Sequence, residues 1–178
     1  MNKLFKSLSI LTAILLFASG CRAQAAQAAQ PPIDYQAVLG KPLNDNAVTD
    51  FIVSNNCAPG GPFQLCQDAG LAFWIDSNQI VNKVYLYAGN ADGFRRYKGK
   101  LPFGLSFYDP MWKVEDKLRN LNADETSQPT WMDGLPDEGS SPDHFHYWAD
   151  YKRFGMTVIY DSPFADEDAY IYAVVVNA

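Results

Sequence analysis

Two histidines, three cysteines and twenty carboxylates carry most of the chemistry available to this 178-residue chain. His144 and His146 are the only histidines, and HxH spacing in a strand puts both rings on one side, which can hold zinc. Such a site needs a third ligand, and Asp143 or Asp150 contributes only by folding in. The alternative is a pair of half-buried ring side chains, and the sequence predicts no metal and no cofactor. Ser140 and Ser141 lack the GxSxG setting of a hydrolase nucleophile. Asp161, Asp166, Glu167 and Asp168 crowd one turn without the calcium-loop pattern, and read as solvated. Nothing selects a catalytic pair from the twenty acids, so no catalytic residue is assigned. Cys57 and Cys66, in CAPGGPFQLC, lack the CxxC spacing of a redox pair.

Charge narrows the partners. Fourteen basic residues against twenty acidic ones give a net charge of −6, and nucleic acid, which needs a basic face, is excluded. Arg95, Arg96, Lys98 and Lys100 are the one basic cluster. It reads as a hydrated linker or an intramolecular partner for the acidic loop 122–143; the alternative is a dock for an acidic protein or anionic lipid headgroups. No interior stretch approaches the ~20 apolar residues of a membrane span.

The N-terminus has the layout of a secretory signal peptide: Lys3 and Lys6, an apolar run from Leu8 to Ala18, then small residues before Cys21. Ala18-Ser19-Gly20-Cys21 resembles a bacterial lipobox, with Ala18 where Leu is usual. The resemblance implies cleavage before Cys21, a diacylated thiol and an acylated amine, a stable membrane anchor. Arg22 in place of Asp points by the same resemblance to the outer membrane, facing the periplasm. Losing residues 1–20 removes two lysines and takes the balance to −8. Residues 21–34 then form a tether, whose RAQAAQAAQPP core has too little apolar surface to offset its ordering entropy. An oxidising compartment and an even number of remaining cysteines predict a structural Cys57–Cys66 disulfide within a turn-rich loop.

An internal repeat organises the rest into units at 35–98 and 99–178. GLAFWID at 70–76 matches GMTVIYD at 155–161, and Tyr85-Leu86-Tyr87-Ala88 matches Tyr170-Ile171-Tyr172-Ala173, both at an offset of 85. Each pair reads as a β-hairpin. A helix precedes each. Asn44 or Asp45 caps the first, with Val48, Phe51 and Ile52 as its stripe. Asp109 caps the second, with Pro110 at its first position and Met111, Val114, Leu118 and Leu121 on one face. Further strands are expected near 63–69 and over 144–151, the latter with its facing open. The fold class is α+β: two helix-then-hairpin repeats forming one antiparallel sheet with helices on one face.

Alternation directs Leu71, Phe73, Ile75, Val84 and Leu86, with Met156, Val158, Ile171, Ala173 and Val175, toward the helices. It gathers Trp74, Tyr85, Tyr87, Tyr170 and Tyr172 on the other face as candidate protein-binding residues, because Trp and Tyr dominate binding hot spots. The alternative is that loop 122–143 folds over this face.

The layout resembles the β-lactamase-inhibitor-protein-like group, with its tandem helix-then-sheet repeats; a small lipoprotein of the outer-membrane barrel-assembly machinery has a related single unit. In placement, Cys57 and Cys66 match the inhibitor's helix-to-strand bridge, while the second repeat has no cysteine pair. The resemblance implies that the open sheet face grips a target. The expectation is a non-catalytic envelope lipoprotein that binds another protein, such as an inhibitor or immunity protein. The alternatives are an accessory of outer-membrane assembly or a periplasmic enzyme.

Overall fold

The computed structural model describes residues 33–89, 91, 93–121, 137–141 and 146–178. The signal peptide, Cys21, the tether to Pro32, most of the acidic loop, and Asp143 and His144 lie outside the described residues.

Within the described residues each half presents one α-helix and four strands. The first half holds α1 (Asn46–Ser54), β1 (Ala58–Gly60), β2 (Phe63–Cys66), β3 (Leu71–Ile75) and β4 (Val81–Tyr87). The second holds α2 (Met111–Asn120), β5 (Asp137–Ser141), β6 (His146–Tyr151), β7 (Met156–Tyr160) and β8 (Ile171–Asn177). They form one antiparallel sheet in the order β1-β2-β3-β4-β8-β7-β6-β5. The halves therefore meet at β4 and β8, and the sheet reads the same from either edge. β1 and β5 correct the sequence reading, which left both segments in loops: APG and DEGSS have little β propensity, and pairing to β2 and β6 makes them strands.

Local chemistry accounts for the helices. Asp45 is extended and its carboxylate accepts from Ala47 N at 2.8 Å, capping α1. The residue flanking α2 is Pro110, with no side-chain cap. Asp109 is not the cap that the sequence predicts. It is 1% exposed and binds Ser106 N, Lys113 Nζ at 3.1 Å and Lys117 Nζ at 2.6 Å. Burial by itself would raise its pKa, but the two lysines and the Ser106 amide outweigh it and hold the carboxyl below its ordinary range.

Both helices pack on one face. Val48, Met111, Val114 and Leu118 share a core with Leu71, Phe73, Val84, Leu86, Met156, Val158 and Val174. Leu121, expected on the buried stripe, is 55% exposed, because α2 ends at Asn120. Ile75 is only half-buried, at a bulge between Trp74 and Ile75.

The register refines the repeat. Leu71 lies opposite Leu86, and Met156 opposite Val176. The first strand of the hairpin thus recurs at an offset of 85 and the second at 90. Bulges fall at matching places, Trp74/Ile75 and Ile159/Tyr160. Asp76 closes the first turn by accepting from Ile80 N, and Asp161 closes the second by accepting from Tyr170 N. Ile80 bridges to Pro42 and Tyr170 to Pro110. Tyr170 is therefore the counterpart of Ile80. The ungapped tyrosine match places it five residues away from its structural equivalent.

Candidate functional site

The face away from the helices is built from alternate residues of six strands. β2 supplies Phe63, paired with Trp74 of β3; Ala72 lies opposite Tyr85 and Trp74 opposite Lys83 of β4. Across the midline Tyr85 faces Val175 and Tyr87 faces Ala173. Thr157 and Ile159 of β7 continue it, then Asp150 and Trp148 of β6. This settles the facing of β6: Tyr147, Ala149 and Tyr151 are buried toward the helices, while His146, Trp148 and Asp150 alternate onto the open side, half-buried.

Ala173 and Val175, expected in the helix-side core, belong to this face; Val174 takes the core position. The bulge beside Ile159 is the cause, since it advances β8 by one residue after Ile171. Ala173 at 0% and Val175 at 5% exposure nonetheless stay covered. Together with Ala72 they form a floor of small side chains beside the tyrosines.

The rings form a continuous run. Phe94 stacks on Tyr87 at 4.1 Å, Tyr87 meets Tyr172 edge-on at 6.5 Å, and Tyr172 stacks on His146 at 4.0 Å. Phe63 packs edge-on against Tyr85 at 5.7 Å, and Lys83 Nζ lies 5.9 Å from the Trp74 ring centre. Burial pushes the Tyr85 phenol pKa up, so it stays a neutral donor at any physiological pH. His146 Nδ1 is 3.0 Å from the Tyr160 carbonyl, and the Asp150 carboxylate accepts from Thr157 at 3.0 Å. Both groups are thus engaged within the fold. The face offers apolar area with a few polar rims.

Of the five predicted binding residues, Trp74, Tyr85, Tyr87 and Tyr172 share this face. Tyr170 lies beyond the strand, just before β8, bridged to Pro110 and 50% exposed. Phe63, Phe94, Trp148 and His146 join the face unannounced. Trp148 is the counterpart of Phe63 at the offset of 85, a signal the sequence held. Phe94 sits in the joint between repeats, and only tertiary structure brings it onto Tyr87. The Cys57–Cys66 disulfide forms, tying the end of α1 to β2. The chain matches no family model, no curated protein and no solved structure.

Proposed function

We propose that the chain is a lipid-anchored envelope protein that binds another protein through the aromatic face, with an inhibitor or immunity protein as the concrete form. The observation that carries this reading is the run of half-buried rings, closed at one end by the buried Phe94, on one side of a sheet whose other side is filled by helices. Trp and Tyr there provide rigid contact area. The anchor rests on the Ala-Ser-Gly-Cys sequence ending at Cys21.

The test is capture from envelope extract by immobilised wild type, Trp74→Ala and Tyr170→Ala. One protein held stoichiometrically by wild type and Tyr170→Ala, and lost by Trp74→Ala, supports the reading. A partner retained equally by all three moves recognition off this face. Inhibition of the captured protein's activity favours the inhibitor form; co-capture of barrel-assembly components favours the accessory form.

A further inference from the structure

The basic cluster divides in two. Arg95 pairs with Asp68 at 3.1 Å, and Arg96 donates to the Ala88 carbonyl at 2.8 Å while lying over the Tyr108 ring. These two arginines hold the joint between repeats onto the sheet. Lys98 and Lys100 are exposed, and no ion pair among the described residues involves either.

Their position is fixed by the start of the domain. Tyr97 is 3% exposed and its hydroxyl donates to the Ile33 carbonyl at 2.5 Å. Between the lysines, Gly99 passes so close that an added Cβ would lie 2.4 Å from that same carbonyl. Lys98 and Lys100 therefore flank the point where the chain leaves for the tether. Ile33, Lys100 and Phe103 line one cleft there, and Phe103 is 41% exposed.

We propose that this corner docks on the anionic phospholipid headgroups of the leaflet that holds the Cys21 acyl chains. The inference rests on the lipid-anchor reading. Residues 22–32 are eleven, with a flexible reach of roughly 20 Å, so the corner where they join the domain is held nearest the bilayer. Two lysines and an exposed aromatic ring at that corner are what an anionic surface attracts. The remainder of an acidic chain is repelled by it. The docking orients the domain, turning other surfaces toward the periplasm.

Full-length acylated protein in vesicles tests this. One set contains 30% phosphatidylglycerol in phosphatidylethanolamine; the other is phosphatidylcholine alone. A fluorophore on Gln36→Cys, an exposed residue lining the same cleft, reports quenching by a headgroup nitroxide. A second on Asn78→Cys marks the far end of β4, about 20 Å along the strand. Expected is strong quenching at position 36 and weak quenching at 78 in anionic vesicles. Lys98→Glu/Lys100→Glu should remove it, as should 0.5 M salt, with the docked-to-free ratio falling about 30-fold. Protein that floats with the vesicles but quenches equally at both positions, in both lipids or in the double variant, overturns the docking alone. Protein that fails to float overturns the anchor and the docking with it.

Discussion

At the end of β2, Cys66 is bonded to Cys57, just beyond α1. At the matching place at the end of β6 stands Tyr151, 1% exposed, its hydroxyl 3.3 Å from that of Tyr160. Each residue lies opposite the first residue of the next strand, Leu71 in one half and Met156 in the other. One half secures helix to sheet by a covalent bond across a short loop. The other fills the equivalent space with large side chains: Tyr147 and Tyr160 pack 6.1 Å apart beside Tyr151. The second half also fastens its helix through Asp109, whose two lysines come from α2 itself. The frame thus demands filled volume beneath each helix, and two different chemistries supply it.

Core deletions should expose this difference most strongly. Phe73 and Val158 occupy matching positions, both fully buried. Phe73→Ala should cost about 3–5 kcal/mol, partly as a cavity against Phe51, whereas Val158→Ala should cost about 2 kcal/mol. Urea denaturation of both variants checks the order; equal losses would mean that the halves are packed alike.

Next is the disulfide. Cys57→Ala/Cys66→Ala should lose about 2–3 kcal/mol of loop-closure stabilisation while the fold survives. Non-reducing alkylation of wild type should find neither thiol free. A domain that no longer folds would show that the first half lacks a sufficient core.

The second half has its own vulnerability, to acid. Asp109 has a folded-state pKa below its unfolded value, so its contribution is complete above the ordinary carboxylate range. That contribution disappears as pH falls through the folded value. Asp109→Asn should cost about 1–3 kcal/mol at neutral pH, and its deficit against wild type should shrink in acid. Unfolding measured from pH 7 to pH 2 reads this directly; a constant deficit would place the acid sensitivity elsewhere.

Much of this frame was legible in the sequence. Both hairpins, both helices and the strand that closes the cysteine loop follow from alternation and repeated Gly and Asp positions. Gly70 and Gly155, which bear positive φ values of 74° and 58°, anchored the alignment. The phase of β8 was not legible. Five extra residues in its turn and a bulge displace the tyrosine match, and neither changes the local composition. Nor was Phe94: a joint with no periodicity gives no sign of stacking on Tyr87. β1 and β5 owe their strand form to their neighbours.

The smallest effect comes from Gly155, set against its counterpart Gly70. A Cβ at Gly70 would meet the Arg95 carbonyl at 2.3 Å and Tyr97 N at 2.4 Å, while at Gly155 the nearest such atom is 3.8 Å away. Gly155→Ala should therefore cost only the left-handed backbone penalty, about 1–2 kcal/mol. Gly70→Ala should cost clearly more, because the joint between repeats must also shift. Equal melting losses would mean that the joint is not seated on β3 and β4.

The aromatic face unites both halves, and its role in recognition is the central claim. Once a captured partner is in hand, titration calorimetry on wild type and Trp74→Ala, with a melting curve for each, tests it most directly. The expected result is at least about 30-fold weaker binding, near 2 kcal/mol at 1.4 kcal/mol per decade. The melting loss should be smaller than that of Phe73→Ala. Unchanged affinity, or unfolding as severe as in Phe73→Ala, would contradict an open binding face.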